Sequence, residues 1–364
     1  MSIIDRLLSR LSAFFGSGKR PATVAAKSHA DTFSIAPKPK PVTRFEPNMP
    51  VLSIDRSAKI LISVVLIVYK MPEQARKTLI SLSPTYQLGV TAEDYEIIVV
   101  ENASDQLLGE TTALAQAPNI RYFLRDEKLP TPVFAINFGA AQARGTHIAV
   151  MIDGARMCSP GIISAMLAAT RLAASPVVAV PGYHLGAEPQ QFSMLKGYNE
   201  AVEASLLDSI QWPADGYRLF DISCLSGTSR GGVFKPIGES NCLATTRDLF
   251  DAVGGYDIAF ESRGGGFVNL DFYKRVVEHP DAQLILLLGE GSFHQIHGGA
   301  TTTAKLASRD EEIKTYAEEY RKLRGSAFSP PEKRAIFFGA LPDAALKFIE
   351  HGARTVINEN HLKQ

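Results

Sequence analysis

The sequence predicts an α/β domain with a mostly parallel central sheet flanked by helices, and three observations lead there. Residues 60–68 read Ile-Leu-Ile-Ser-Val-Val-Leu-Ile-Val, a continuous apolar run of the kind found in strands buried on both faces. Strand-like and helix-like segments then alternate as far as residue 180, the pattern of parallel strands joined by crossover helices. A carboxylate, Asp153, closes the fourth strand-like run. Open α/β sheets bind their ligands at that edge.

Each element has its own signal. After the first strand, a helix over 72–82 opens with Pro72 in its first turn. Residues 95–100 (Tyr-Glu-Ile-Ile-Val-Val) form the second strand and 105–116 the next helix. A short strand follows over 120–124, then a small-residue helix over 133–143, suited to close packing. The fourth strand spans 147–152, an alanine-rich helix 159–174 and another strand 177–180. Beyond it the order loosens. Helices are expected over 195–210, 247–253, 269–278, 309–324 and 341–358, and strands over 243–246 and 283–288. Residues 212–239 read as loop, with Gly227, Gly231, Gly232 and Gly238.

Composition excludes several function classes. Lys+Arg and Asp+Glu both number 38, so the basic excess of a general nucleic-acid binder is absent and no nucleic-acid partner is expected. Cys158, Cys224 and Cys242 are widely spaced, which makes neither a zinc pattern nor a disulfide framework and points to a reducing, cytoplasmic setting. No apolar run reaches membrane-spanning length. Residues 1–20 place Ile3, Ile4, Leu7, Leu8, Leu11, Phe14 and Phe15 at helical spacing beside Arg6 and Arg10. This amphipathic helix either lies on a membrane surface, on the inner face, or packs on a protein. Residues 21–57 are a Pro- and Lys-rich linker. A domain over 58–305 and a helical extension over 306–364 complete the chain.

Asp153 alone leaves two readings open, a turn or helix cap and a metal ligand. Its neighbours add a family pattern. Ile62 to Lys70 resembles the opening strand of family-2 glycosyltransferases, which have the nucleotide-sugar-binding GT-A fold. Glu96 to Asp105 resembles that family's second strand and acidic turn. Asn137, Gly139, Ala143 and Gly145 match its N-x-G-x-x-x-A-x-G helix, and Gly254-Gly255-Tyr256-Asp257 its G-G-[FY]-D turn. The resemblance runs over residues 60–303 and implies a single GT-A-like, Rossmann-type domain. Its nucleotide-sugar half would be 58–185 and its acceptor half 186–305.

The resemblance also implies roles. The family's Asp-x-Asp motif falls on Asp153-Gly154-Ala155, so the first acid is present and the second is replaced by Ala155. A divalent metal, Mn²⁺ or Mg²⁺, is expected at Asp153, with its requirement in question because of Ala155. His294 and His297, in a segment where the family often has a histidine, either complete the metal site or are structural. Within the nucleotide-sugar site, Tyr69 is expected at the base and ribose and Glu101 on the nucleobase or ribose, while Asn137 either caps a turn or approaches the diphosphate and Arg156 either neutralises phosphate charge or is solvated. Anchored on Arg275, the family's Glu-Asp pair falls on Val268-Asn269 and its second acid on Asp271. Asparagine cannot act as a base, which leaves Asp271 as the expected base, with Glu239, Asp257 and Glu261 the other nearby acids. Trp212, Asp215 and Glu239 are expected on the acceptor side.

These readings imply an inverting transferase that moves a sugar from a nucleotide donor to a glycan, lipid-linked or protein-linked acceptor, in surface polysaccharide or glycoconjugate synthesis. The missing acids at Ala155 and Asn269 keep a second reading open, a catalytically weak GT-A-like module that binds a nucleotide or glycan. A dinucleotide-binding dehydrogenase is excluded, because no G-x-G-x-x-G follows the first strand.

Overall fold

The computed structural model describes residue 42, residues 60–297 and residues 306–361. The helix expected over 1–20, the linker apart from residue 42, and Thr301 to Thr303 lie outside the described residues. The strands are β1 Ile62–Val68, β2 Tyr95–Asn102, β3 Ile120–Arg125, β4 His147–Met151, β5 Arg156–Cys158, β6 Pro176–Ala179, β7 Gly182–Leu185, β8 Ser223–Leu225, β9 Leu243–Thr246, β10 Gln283–Leu287, β11 Ser292–His294 and β12 Ile336–Phe338.

Eight of them form the main sheet in the order β12-β10-β6-β9-β4-β1-β2-β3. All run parallel except β9, which is antiparallel to both β4 and β6. All seven residues of β1 are buried, as the apolar run predicts. One face packs Val65, Ile67 and Val100 under Ile136 and Ala140 of the helix Val133–Gln142. The other packs Val64, Leu66 and Val68 under Ala75, Leu79 and Leu82 of the helix Pro72–Leu82. Gly139 explains the close seating of its helix: a Cβ there would stand 2.4 Å from Val65 Cγ1.

A second sheet, β5-β11-β7-β8, escapes the sequence patterns. Three of its four strands are only three residues long, too short for alternation to show. Its core is aromatic, with Tyr183 and Phe293 stacked at 5.2 Å and Phe220 edge-on to Phe293 at 4.9 Å.

Several helices are shorter than their patterns suggest. The 105–116 segment is helical only over Glu110–Leu114, because Glu101 takes the Leu108 and Gly109 N–H groups and Gly109 has φ +78°. The 195–210 helix starts at Glu200, after Gly197 at φ +93° and Asn199, whose side chain caps Ala201 N and Val202 N. The C-terminal extension is not purely helical. Besides the helices Leu306–Arg324 and Leu346–His361 it adds β12 to the edge of the main sheet, parallel to β10.

The helix Leu306–Arg324 is clasped to the domain through its last residue. Arg324 Nη2 donates to Asp257 Oδ2 (2.7 Å) and Asp271 Oδ2 (2.9 Å), and Arg275 Nε donates to Asp271 Oδ2 (2.7 Å). Asp257 and Asp271 are 0% and 1% exposed. Asp271, expected as the base, is instead sealed between two guanidiniums. A carboxylate buried and paired this way has no path to an acceptor hydroxyl.

Removing one partner from a buried charge cluster costs far more than the cluster contributes as a whole. Arg324→Met should therefore destabilise the fold by about 3–5 kcal/mol, read as a lower urea midpoint. An unchanged midpoint would show that the clasp does not hold the helix.

Candidate active site

The site forms where β4 ends. Asp153 lies two residues past Met151, and its two oxygens do different things. Oδ1 accepts from Ala155 N at 2.8 Å, closing a tight turn. Oδ2 faces His294 Nε2 at 3.2 Å and His297 Nε2 at 3.4 Å. The two Nε2 atoms are 3.1 Å apart. Asp153 is thus a turn former through one oxygen and turns the other toward two imidazoles.

The second sheet makes this meeting possible. β5 starts three residues after Asp153 and pairs antiparallel with β11, with Arg156 opposite His294. Gln295 N donates to Ala155 O (2.9 Å), which extends the pairing toward the turn. Ala155 is fully buried, packed in the cluster under the helix Pro72–Leu82. A carboxylate at that position would point into an apolar core rather than toward Asp153.

The three donor atoms suit a divalent ion. Ligand bonds of about 2.1 Å at tetrahedral or octahedral angles place adjacent donors about 3.0–3.4 Å apart, and the observed separations are 3.1, 3.2 and 3.4 Å. The tautomer also fits. Gln190 Nε2 faces two acceptors, His294 O and Glu203 Oε2, so its Oε1 faces His294 Nδ1 at 2.6 Å. Nδ1 must then carry the proton, and Nε2 presents its lone pair. Burial pushes His294 down to about 4, so the ring is neutral at ordinary pH. Burial alone would raise Asp153, but His297 facing its Oδ2 holds it well below the usual carboxylate range.

Arg156 stands beside this group. Its Nε is 3.8 Å from Asp153 Oδ2, its side chain is 11% exposed, and neither Nε nor Nη1 has a hydrogen-bond partner among the described residues. A buried guanidinium with unmet donors next to a candidate metal site is suited to an anion.

Other expected residues sit elsewhere or are committed. Tyr69 directly follows β1 at the same sheet edge and is exposed. Glu101 is fully buried, and its carboxylate takes Leu108 N, Gly109 N and the Tyr122 hydroxyl (2.6 Å). The longer side chain satisfies its own loop instead of reaching a nucleotide. Asn137 clamps the Gly254–Gly255 turn, donating to Tyr256 O (2.7 Å) and accepting from Tyr256 N (3.1 Å). Trp212 packs on Tyr86 at 6.2 Å, and Asp215 caps a 3₁₀ turn through Tyr217 N. Tyr86 in turn bonds Cys158 O, so both lie toward the far end of β5 from Asp153. Glu239 accepts from Asn269 Nδ2 at 2.7 Å.

The sequence patterns missed Gln190, Glu203 and His184. Glu203 receives Ile296 N (2.7 Å) and the Tyr198 hydroxyl (3.1 Å) and fixes the backbone between the two histidines. The His184 ring lies 5.2 Å from that of His294. The histidine within the apolar β7 is the one signal that was available; Gln190 and Glu203 carry none.

The model described as glycosyl transferase family 2 matches residues 63–191, from β1 through Asp153 to Gln190. That segment resembles the family-2 glycosyltransferases. The matched segment includes Asp153 and Arg156, whereas His294, His297 and Glu239 come from beyond it. A search of curated proteins found no significant match. Among solved structures, S. aureus TarS 1-349 in complex with UDP-GlcNAc is similar at 12% identity and TM-score 0.44, covering 72% of this chain and 67% of that one. The mannosyltransferase PcManGT from Pyrobaculum calidifontis, in complex with GDP-Man and Mn²⁺, is similar at 13% identity and TM-score 0.43, covering 96% and 76%. Glucosyl-3-phosphoglycerate synthase from Mycobacterium tuberculosis, with Mg²⁺ and UDP, is similar at 13% and 0.42, covering 75% and 83%. The chain spans 44% of a longer S. aureus TarS structure.

Partners that orient a ligating histidine are worth about 10–100-fold in metal affinity. Gln190→Leu should weaken Mn²⁺ binding by that factor in calorimetry, and Asp153→Asn by more. Equal affinity in wild type and Asp153→Asn would remove the carboxylate from the metal site.

Proposed function

We propose that the protein transfers a glycosyl unit from a nucleoside-diphosphate sugar to a hydroxyl acceptor, using Asp153, His294 and His297 to hold a divalent ion. The observation that carries this reading is the convergence of one carboxylate oxygen and two imidazole nitrogens at the C-terminal edge of β4. A divalent ion held there supplies Lewis-acid stabilisation for the charge that grows on the departing diphosphate.

The chain's own residues do the rest. Gln190 and Glu203 keep the His294 ring and the 294–297 backbone in place before any ligand arrives, so little reorganisation is left for the reaction itself. Arg156 offers fixed positive charge and unmet N–H donors to the same diphosphate. Tyr69, exposed at the end of β1, offers a flat face for the nucleobase.

The donor set also favours particular metals. Two imidazoles and one carboxylate suit Mn²⁺ and its neighbours in the first transition row better than Mg²⁺, which prefers all-oxygen ligation. The loss of the second acid at Ala155 is thereby offset by nitrogen ligands from another strand. Inversion at the anomeric carbon and a carbohydrate or lipid-linked acceptor remain part of the proposal. The amphipathic pattern of residues 1–20 supports the lipid-linked case. Among the described residues no helix is long and apolar enough to cross a membrane.

The test is a panel of UDP-, GDP-, CMP- and dTDP-sugars with glycan and lipid-linked acceptors, each with Mn²⁺, Mg²⁺ or chelator. Transfer with at least one donor is expected, faster with Mn²⁺ than with Mg²⁺ and abolished by chelator. Arg156→Met should weaken donor binding about tenfold or more, the scale of one charge-assisted contact. Nucleotide binding without turnover on any acceptor would favour the catalytically weak binding module instead.

A further inference from the structure

Transfer to a hydroxyl needs a group that takes the acceptor's proton, and most buried acids of the domain are already committed. Asp153 faces the two histidines. Asp257 and Asp271 are held by Arg324. Glu101 closes its own loop. Glu96 takes Ser63 and Arg121, Glu290 takes Ser159 and Tyr217, and Glu203 holds the backbone at Ile296.

Glu239 differs from all of these. It is half-buried, and its hydrogen bonds come from an amide, Asn269 Nδ2 (2.7 Å), and a hydroxyl, Thr228 Oγ1 (3.3 Å). No cation pairs with it among the described residues. Its position is defined from both sides. β9 runs antiparallel to β4 with Leu243 opposite Val150, so the chain entering β9 and the chain leaving β4 toward Asp153 meet the same sheet edge on adjacent strands. Ser240 ties the entering chain to β6 by accepting from Val180 N (3.1 Å). Asn269 is oriented as well: the Tyr256 hydroxyl donates to its Oδ1 (3.0 Å), which turns Nδ2 toward Glu239 and Asn241.

We propose that Glu239 is the base of the transfer and that Asn269 positions it; this rests on the glycosyl-transfer reading above. The acceptor oxygen bonds to the anomeric carbon. The bond from that carbon to the diphosphate oxygen breaks, and its electron pair leaves on the nucleoside diphosphate. The hydroxyl proton passes to a Glu239 carboxylate oxygen. Its polar neighbours are an amide and a hydroxyl, whereas Asp257 and Asp271 are taken up by guanidiniums.

The test uses the full chain with the donor and acceptor that the wild type turns over. Glu239→Gln should lower kcat about 10²–10⁴-fold while calorimetric donor affinity stays within about threefold. The double variant Glu239→Gln, Asn269→Asp moves the carboxylate across one hydrogen bond and should recover at least about tenfold of the lost rate. A merely structural role for Glu239 would not be rescued in this way. Glu239→Gln with near wild-type kcat overturns the base assignment and leaves glycosyl transfer standing. No recovery in a double variant that still melts at the wild-type Tm overturns it too. A wild type inert toward every donor and acceptor overturns the transfer reading, and the base with it.

Discussion

The antiparallel pairing of Arg156–Cys158 with Ser292–His294 is the contact on which the site depends. Asp153 and His297 are separated by most of the domain in sequence. This three-residue ladder, extended by the Gln295 N to Ala155 O bond, carries the chain back to where they stand 3.4 Å apart. The aromatic core of the small sheet stabilises the ladder from behind. Phe293 alternates with His294 along β11, so a single strand faces the core with one side chain and the site with the next. Loosening that core would move the histidines before it unfolded the main sheet.

Buried charge in this domain is divided into two kinds. One kind is neutralised completely, as with Asp257 and Asp271 under Arg324 and Arg275. The other is left incomplete, as with Arg156, whose Nε and Nη1 have no hydrogen-bond partner among the described residues, and Asp153, whose Oδ2 faces two imidazoles with Arg156 no nearer than 3.8 Å. The first kind fixes the fold. The second carries unmet electrostatic demand that a ligand can meet, which is the mark of a binding site rather than of a scaffold.

Much of the main sheet was legible in the sequence because parallel strands are long and apolar on both faces. β1, β2 and β4 show this plainly. β5, β8, β11 and β12 do not, since three residues carry no period. Asp153, His294 and His297 stood out as residue types at particular positions, but their meeting depends on the short strands and could not be read from spacing. Asp271 misled for a physical reason: an acid in the first turn of a helix looks the same in sequence whether it meets solvent or two guanidiniums. Asn269 looked like a loss, and only its hydrogen bond to Glu239 shows a carboxylate within reach of the same place.

β9 is the one strand of the main sheet that runs against its neighbours. A parallel strand delivers the residues that follow it to the ligand edge; β9 delivers those that precede it. The 226–238 loop therefore ends on a pinned point, with Glu239 fastened to Asn269 of the helix Val268–Glu278 and Ser240 to Val180 just after β6. Thr228 reaches from that loop to the Glu239 carboxylate, and Ser229 accepts from Gly182 N, so a change in the loop's length or composition is transmitted straight to the ligand edge.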